Sequence, residues 1–251
     1  MTTPVAFTYP TLRRVTLFAP HADDDVISMG WIASLHSSVG RRLRFVLGSD
    51  GASTTAIKPI NGDTLNSWWG RMHDPEREGY ARLTPADIAL ARDEEFLDSC
   101  RQLGALPEEI HLERELRVTS PTVDDATKIL LKHRELDPDS GMYTMHWEDS
   151  DPTHAAFGEA LLELRLRSPS DWSDVRWMVR ESQAGTIAGA QQYAVPGDKY
   201  ASCKLMVQKA AKCYESWAPR KGRYAVGYHS VGHSLFPGVV AGNPNWIVKP
   251  S

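Results

Sequence analysis

The segment VTLFAPHADDDVISMG, residues 15–30, decides the fold class of this chain. Its apolar, β-branched opening, Val15–Ala19, is typical of a buried strand, which is predicted to end at Pro20. The acidic residues that follow suit the N-terminus of a helix, which is predicted to continue to Gly40. The segment therefore predicts a strand, a loop and a helix, with His21 delivered at the end of the strand.

The same alternation continues along most of the chain. The stretch LRFVLGSDG predicts a second strand that ends in the turn Ser49-Asp50-Gly51, and a helix between two strands indicates a parallel pair. Further strands are predicted at 109–116, 141–147, 175–179 and 222–230, and further helices are predicted to open at Thr84, Ser120 and Asp151 and to cover 203–217. We therefore expect a single α/β domain over residues 1–251, built on a mainly parallel sheet.

One long segment departs from this alternation. Residues 52–84 are rich in Gly, Pro, Asn and charge and are longer than a typical connection, which predicts a loop insertion that acts as a lid or a binding loop. Its aromatic residues Trp68, Trp69 and Tyr80 have two interpretations. In the first, they would contact a substrate, either by stacking on a sugar ring or by covering an acyl chain. In the second, they would anchor the loop on the body of the protein.

Composition narrows the class of partner. The 251 residues include 28 Lys and Arg against 32 Asp and Glu, a net charge of −4, which does not favour nucleic acid or an anionic membrane. The chain shows no signal-peptide pattern and no apolar run near the ~20 residues that span a bilayer, so a cytoplasmic location is expected. Three cysteines without a C-x-x-C pair fit core packing. A small-molecule partner is expected, and homo-oligomerisation stays open.

Two polar stretches follow predicted strands and are expected to meet at one edge of the sheet. PHADDD (20–25) offers an imidazole and three carboxylates, and WEDSDPTH (147–154) offers another imidazole beside further acids. Two histidines and a carboxylate with an open position are typical of a catalytic zinc site. The alternative is that the aspartates cap helices and that His154 lies on a helix surface.

These motifs resemble those of the GlcNAc-phosphatidylinositol de-N-acetylase (LmbE-like) family. PHADDD is similar to its Ala-His-Pro-Asp-Asp-Glu signature and DPTHAAFGEAL to its second signature, while SDG and the Arg92/Glu95 pair extend the resemblance over about two thirds of the chain. The resemblance implies a Rossmann-like three-layer sandwich and a metal-dependent N-deacetylase that hydrolyses the amide of an N-acylated amino sugar or related small metabolite.

The resemblance also implies roles for individual residues. His21, Asp24 and His154 would hold Zn²⁺ or another divalent transition metal, and Asp23 would act as the catalytic base. Water would attack the amide, and Asp23 or another acid would protonate the departing nitrogen, so that the products are a carboxylate and an amine.

The second motif departs from the family pattern, because Asp151 and Thr153 stand where the family has His and Asp. The missing histidine's role then falls to His146, His229 or His233, or is lost. His229 and His233 have i, i+4 spacing, but their Gly- and Tyr-rich surroundings favour a strand or loop.

Several residues are expected to contact substrate: Asp151, Arg92, His229, Trp68 and Trp69. For Arg92, a helix-surface ion pair with Glu95 is the simpler account. Two rival functions stay open, namely a non-catalytic ligand-binding protein of the same fold and a phosphoryl-accepting, receiver-like domain that uses Asp50.

Overall fold

The computed structural model describes residues 5–6, 13–66, 69–241 and 245–249. The strands in these ranges are β1 (Val5–Ala6), β2 (Arg14–Ala19), β3 (Arg42–Leu47), β4 (Ile110–His111), β5 (Ser140–Met145), β6 (Val175–Val179), β7 (Gln191–Ala194), β8 (Trp217–Ala218), β9 (Arg223–Tyr224) and β10 (Trp246–Val248). The main sheet has the order β1-β7-β10-β6-β5-β2-β3-β4, and β8 pairs with β9 in a separate ribbon. The five strands from β6 to β4 run parallel, and β10 runs antiparallel to both neighbours. The predicted α/β class with a mainly parallel sheet is therefore confirmed.

Helices cover both faces of this sheet. They are α1 (Asp24–Ile27), α2 (Gly30–Ser38), α3 (Ile57–Ile60), α4 (Pro75–Glu78), α5 (Pro85–Gln102), α6 (Val123–Leu136), α7 (Pro152–Arg167), α8 (Gly197–Tyr214) and α9 (Val226–Ala241). The starts of the longer helices follow from local chemistry: Thr84 and Thr122 form capping boxes before α5 and α6, and Asp151 caps α7. The start of α6 at Val123 corrects the predicted start at Ser120, because Thr122 and not Ser120 supplies the cap.

The side-chain alternation of the strands produces three layers. On β2, Leu17 joins a core cluster with α1, α2, α5, α8 and α9, whereas its neighbour Phe18 joins a second cluster with α6 and α7. Both residues are completely buried. The sheet therefore has a hydrophobic core on each face, as the three-layer sandwich requires.

The order of the strands creates a switch point beside β2. The chain moves from β2 to β3 and β4 on one side and then returns to add β5 and β6 on the other side. In such sheets the crevice beyond the carboxyl ends of the strands at the switch point is the usual ligand site. His21 follows β2, and His154 lies in the first turn of α7, the helix that follows β5.

Three predicted elements differ from the structure. The helix predicted up to Gly40 is divided into α1 and α2. The side-chain oxygen of Asn245 accepts hydrogen bonds from the N–H groups of Trp31 (3.0 Å) and Ile32 (3.2 Å) and so caps the N-terminus of α2. The strand predicted at 109–116 is limited to β4, and the chain turns at Glu113, whose φ is 49°. The strand predicted at 222–230 contains only β9, and α9 follows it.

The predicted insertion at 52–84 contains two one-turn helices, α3 and α4. Its apolar residues Ala56, Ile60 and Leu83 pack in a small core against α5 and the first residue of α9. The segment is therefore attached to the same helices that surround the crevice. In the described part of the chain, every helix is too short or too polar to cross a bilayer.

Candidate functional site

Three donor atoms converge in the crevice beyond β2 and β5. His21 Nδ1 lies 3.1 Å from His154 Nε2, and Asp24 Oδ2 lies 3.0 Å from His154 Nε2 and 3.6 Å from His21 Nδ1. The backbone N–H of His21 also donates to Asp24 Oδ2 at 2.9 Å and fixes the carboxylate in place. Two segments that are remote in sequence therefore present two imidazoles and a carboxylate to one point.

These separations fit a divalent transition metal. Tetrahedral coordination with bonds of about 2.0–2.1 Å places ligand atoms roughly 3.3 Å apart, close to the spacing observed here. Asp151 contributes a further carboxylate, with an oxygen within 4.8 Å of the donor atoms of both histidines. Its Oδ1 accepts hydrogen bonds from the N–H groups of Thr153 (2.9 Å) and His154 (3.2 Å), so Asp151 also caps α7.

The charges in the trio are strongly coupled. Burial alone would raise the pKa of Asp24, but the charges and hydrogen bonds of His154 and His21 hold it well below its usual value. Burial likewise opposes charge on His154, yet Asp24 and Asp149 raise its pKa to about 10. The pair of carboxylates therefore favours a positive charge at this position, which a proton or a metal ion can supply.

Asp149 supports His154 from behind. Its Oδ2 lies 3.3 Å from His154 Nδ1, the ring nitrogen that faces away from the trio, and accepts from Arg180 Nε at 2.9 Å. Its Oδ1 accepts from Arg180 and, at 2.8 Å, from the backbone N–H of Asp151. A carboxylate on the outer nitrogen of a metal-binding histidine orients the ring and raises its basicity. Sequence reasoning noted the acids around His154 but assigned no role to Asp149.

Asp23 lies beside the trio on an unusual backbone. Its φ of 143° is rare for a residue with a side chain, and such conformations are found at functional sites. Its Oδ2 accepts from Arg92 at 3.0 Å, and Arg92 also donates to the Ala22 carbonyl. Burial raises the pKa of Asp23 to about 6, although Arg92 opposes the shift. Asp23 is thus a carboxylate with one oxygen fixed at the edge of the pocket.

The structure corrects the account of Arg92 as a surface ion pair with Glu95. Both side chains are buried, and they bind different groups. Arg92 binds Asp23, whereas Glu95 accepts from the N–H groups of Val226 (2.7 Å) and Gly227 (3.0 Å) at the start of α9. Both residues lie on the buried stripe of α5, so Arg92 contacts the site and Glu95 fixes the helix beside it.

The third aspartate, Asp25, binds different partners from Asp23 and Asp24. Its carboxylate accepts from the hydroxyl groups of Ser99 (2.5 Å) and Tyr214 (2.6 Å) in the core. Burial raises the pKa of Asp25 to about 7. The three consecutive aspartates therefore avoid direct competition: Asp23 binds Arg92, Asp24 joins the histidines and Asp25 ties the loop to α5 and α8.

A pocket of about 270 Å³ opens onto the trio. Beyond His21, Asp23, Asp24, Asp151 and His154, the wall has six residues with hydroxyl groups, namely Ser28, Ser53, Thr54, Thr55, Thr119 and Ser230. The rest of the wall is Arg92, Arg180, Ile27, Gly51 and Val231. Ser53, Thr54 and Thr55 come from the insertion at 52–84, and Ser230 comes from α9. The insertion therefore contributes hydroxyl groups to the pocket.

Two of the residues expected to contact substrate lie outside this pocket wall. The ring of Trp69 packs near those of His73 (5.0 Å between centroids) and Trp217 (5.4 Å) and lines a different surface pocket. His229 lies on α9, and its Nε2 is 3.0 Å from His73 Nε2. The structure thus places Trp69 and His229 in a contact between the insertion and α9, as the anchoring interpretation of the loop aromatics predicts.

The other predicted residues fall as follows. Tyr80 donates its hydroxyl to the Ile60 carbonyl at 2.5 Å, within the insertion. His146 is buried, with Nδ1 accepting from the N–H of Glu148 at 3.1 Å. Asp50 accepts from the Ala52 N–H and the Thr119 hydroxyl, as a turn residue does. Trp68 and the side chain of His233 lie outside the described residues.

Comparison with known proteins identifies structural relatives only. No family model and no curated sequence matches the chain. The deacetylase of teicoplanin biosynthesis has 15% identity and a TM-score of 0.59, over 93% of this chain and 96% of that protein. The N,N'-diacetylchitobiose deacetylase of Pyrococcus horikoshii has 16% identity and a TM-score of 0.50, over 89% and 88%. Both of these neighbours are deacetylases, and at this identity the similarity shows that the chain shares their fold, as the motif resemblance implied.

The same fold also occurs in an enzyme of another class. The 4-carboxy-2-hydroxymuconate hydratase of Pseudomonas putida has 16% identity and a TM-score of 0.52, over 96% of this chain and 98% of that protein. The fold alone therefore does not decide the reaction, which depends on the residues of the site.

Proposed function

We propose that this protein is a metal-dependent amide hydrolase that removes an N-acetyl group from an amino sugar or a related small metabolite. The observation that carries this proposal is the convergence of His21 Nδ1, Asp24 Oδ2 and His154 Nε2 within 3.6 Å of one another beside Asp23. A hydrolase needs an electrophilic centre and a base at one point, and this arrangement supplies the ligands for the first and the carboxylate for the second.

His21, Asp24 and His154 would hold the metal. When bound, a Zn²⁺-type ion supplies Lewis acidity, which polarises an amide carbonyl and lowers the pKa of a coordinated water to about 7. The chain's own contribution is a donor set already brought together and a supporting shell, since Asp149 and Arg180 fix His154 before any ligand arrives.

Asp23 would move the protons. Its Oδ2 is held by Arg92, so the carboxylate is oriented toward the pocket that it lines. As general base it takes a proton from the attacking water, and the water oxygen forms a bond to the carbonyl carbon. The C–N bond then breaks while Asp23 returns the proton to nitrogen, because an amine anion is too basic to leave. The products are acetate and a free amine.

The pocket wall supports a polyhydroxylated substrate. The Thr54 and Ser230 hydroxyl groups bond to each other at 3.0 Å and Thr119 donates its hydroxyl to Asp50, so their oxygen lone pairs can still accept from sugar hydroxyls. The volume of about 270 Å³ suits a small molecule. The structural neighbours from teicoplanin biosynthesis and from Pyrococcus horikoshii are deacetylases, which supports this reaction class.

Release of acetate from N-acetylglucosamine and from a panel of other N-acetylated amines, by protein loaded with Zn²⁺, tests the proposal. Loss of a general base typically lowers the rate about 10²–10⁴-fold, and we expect this for Asp23→Asn. Asp63→Asn is the matched control, because Asp63 forms an exposed ion pair with Arg82.

Two outcomes would contradict the proposal. Hydrolysis that survives unchanged in Asp23→Asn would remove the proposed base. Metal and sugar binding by the wild-type protein without hydrolysis of any amide in the panel would favour the non-catalytic ligand-binding alternative.

A further inference from the structure

A second cluster of metal-binding side chains lies away from the pocket, at the edge of the sheet. His111 ends the edge strand β4, and Glu113 follows two residues later. Ile110 belongs to the core on the opposite face, so His111 and Glu113 point toward α6. His133, in the last turn of α6, faces them. The cluster therefore joins an edge strand to the helix that covers it.

The donor atoms of this cluster are close together and shielded from solvent. One ligand atom from each of His111, Glu113 and His133 lies within 4.8 Å of the other two. His133 Nε2 is 2.9 Å from Glu113 Oε1, and the two imidazole rings meet edge to face with centroids 4.8 Å apart. His133 is fully buried and Glu113 is 7% exposed. His111 is partly exposed, but its Nε2 atom is inaccessible to solvent, so the cluster lies at the boundary of the protein interior.

The cluster leaves buried nitrogen atoms without partners. His111 Nε2 and His133 Nδ1 are inaccessible to solvent, and neither has a hydrogen-bond partner among the described residues. A buried polar atom without a partner typically costs about 1–3 kcal/mol, so such an atom calls for a specific reason. A cation bound by His111 Nε2 would supply one.

The charges allow a cation to enter. His133 Nε2 faces Glu113 Oε1 at 2.9 Å, and a metal ion bound by both atoms would take the place of this hydrogen bond. Lys132 also binds Glu113, with Nζ 2.7 Å from Oε2, but its side chain is 45% exposed and can turn to solvent. Displacement of this mobile lysine would leave two imidazoles and a carboxylate to bind the ion.

We propose that His111, Glu113 and His133 form a second metal site that binds a divalent transition cation of the Zn²⁺ type. Two imidazoles and one carboxylate select such ions over Mg²⁺ and Ca²⁺, which prefer all-oxygen sites. Because the ligands come from β4, the turn after it and α6, the ion would cross-link the edge of the sheet to its covering helix. We assign it a stabilising role, separate from the amide chemistry.

The test is the zinc content of protein that is stripped with a chelator and then titrated with Zn²⁺. We expect two equivalents in the wild-type protein and one in His154→Ala, which disables the pocket site. Adding His111→Ala or Glu113→Gln to His154→Ala should remove the remaining equivalent. Glu115→Gln is the matched control, because Glu115 is an exposed residue two positions after Glu113.

Thermal unfolding with and without Zn²⁺ supplies a second readout. The Zn²⁺-induced rise in melting temperature that remains in His154→Ala should disappear when Glu113→Gln is added. If His154→Ala does not fold, Glu113→Gln and His111→Ala in the otherwise wild-type protein should each lower the zinc content from two equivalents to one. Zinc content that is unaffected by both His111→Ala and Glu113→Gln would overturn the proposal, whether the wild-type protein holds one equivalent or two. Neither result bears on hydrolysis at the pocket, so the two proposals fail independently.

Discussion

The contact between Asp149 and His154 predicts how strongly the pocket holds its metal. Asp149 is buried, and its two oxygens face three groups: the His154 imidazole at 3.3 Å, the Arg180 guanidinium and the Asp151 N–H at 2.8 Å. Asp149→Asn keeps the size of the side chain. However, it removes the negative charge and replaces one acceptor oxygen with an NH₂ group that cannot accept from any of these donors.

The expected loss of Zn²⁺ affinity in Asp149→Asn follows from the number of hydrogen bonds that the new amide group can accept. One amide oxygen cannot satisfy all three groups, so either the ring of His154 loses its orientation or the buried end of Arg180 loses its acceptor. Removal of such outer partners typically weakens metal binding about 10–100-fold, equivalent to roughly 1.4–2.7 kcal/mol. We therefore expect the Zn²⁺ dissociation constant of the pocket site to rise by that factor, with amide hydrolysis largely restored at saturating Zn²⁺.

Competition with a chelating dye measures this dissociation constant. The measurement is made in a Glu113→Gln background, so that the second proposed site does not contribute. Arg180→Gln is the matched control, because it removes the guanidinium and leaves the carboxylate on His154, and it should change the constant less than Asp149→Asn does. A constant for Asp149→Asn within about twofold of the parent would refute the reasoning, since that difference is below 0.5 kcal/mol.

Three further predictions concern the frame around the pocket. Gly158→Ala would bring a Cβ against backbone atoms at the carboxyl end of β5, so α7 must move. The free energy of unfolding in urea should therefore fall by about 1–3 kcal/mol or more. Gly185→Ala is the control, because a Cβ there has no described neighbour within 4 Å, and it should change the free energy of unfolding little. Burial, together with the charges of nearby arginines, lowers the pKa of His36 from 6.5 to about 3. As the pH falls below 6.5, His36 therefore binds a proton in the unfolded chain but stays neutral in the folded protein. Wild-type stability should therefore decrease more steeply than that of His36→Gln between pH 6.5 and 4.5, by up to about 1.4 kcal/mol per pH unit, and parallel curves would contradict this account. Glu95→Ala leaves the first N–H groups of α9 buried without an acceptor, so the free energy of unfolding in urea should fall by about 2 kcal/mol or more. KM should also rise, because α9 contributes Ser230 to the pocket. A fall in the free energy of unfolding below about 0.5 kcal/mol would show that the cap is not needed.

The meeting of His21 and His154 could be predicted because it depends on topology. Each histidine follows a strand end closely, and parallel strands bring their carboxyl ends to one edge. Only the alternation of elements and the position of each motif within it were required. Neither the distance between the imidazoles nor the support from Asp149 follows from that pattern.

The roles of Arg92 and Glu95 were harder to predict. Arg92 was expected to contact substrate or, more simply, to pair with Glu95 on a helix surface. Instead, Arg92, Glu95 and Ser99 share a face of α5, at i, i+3 and i+7, beside the buried Phe96 and Cys100. Polar residues within an apolar stripe were the available signal, because they indicate buried partners. Their partners, Asp23 and the start of α9, come from distant segments, so the sequence around Arg92 and Glu95 does not indicate them.

Other differences have the same origin. The break between α1 and α2 depends on Asn245, more than 200 positions away. His229 was considered as a replacement for the histidine that the second motif lacks, but its ring contacts His73 of the insertion. Local patterns predict where a helix or strand is favourable, whereas long-range hydrogen bonds decide where it stops and which side it presents.

The position of β10 affects how the molecule can assemble. This strand lies between β6 and β7, and β1 joins the sheet through β7. During synthesis, β1 and β7 emerge well before β10, so they have no place in the sheet until α8 and α9 have also been made. The parallel strands and the crevice can form first, and the outer strands would attach in a late step whose rate depends on bringing remote segments together. A chain cut before Trp246 should keep the inner strands and release the outer pair, which would then be an early target for proteases.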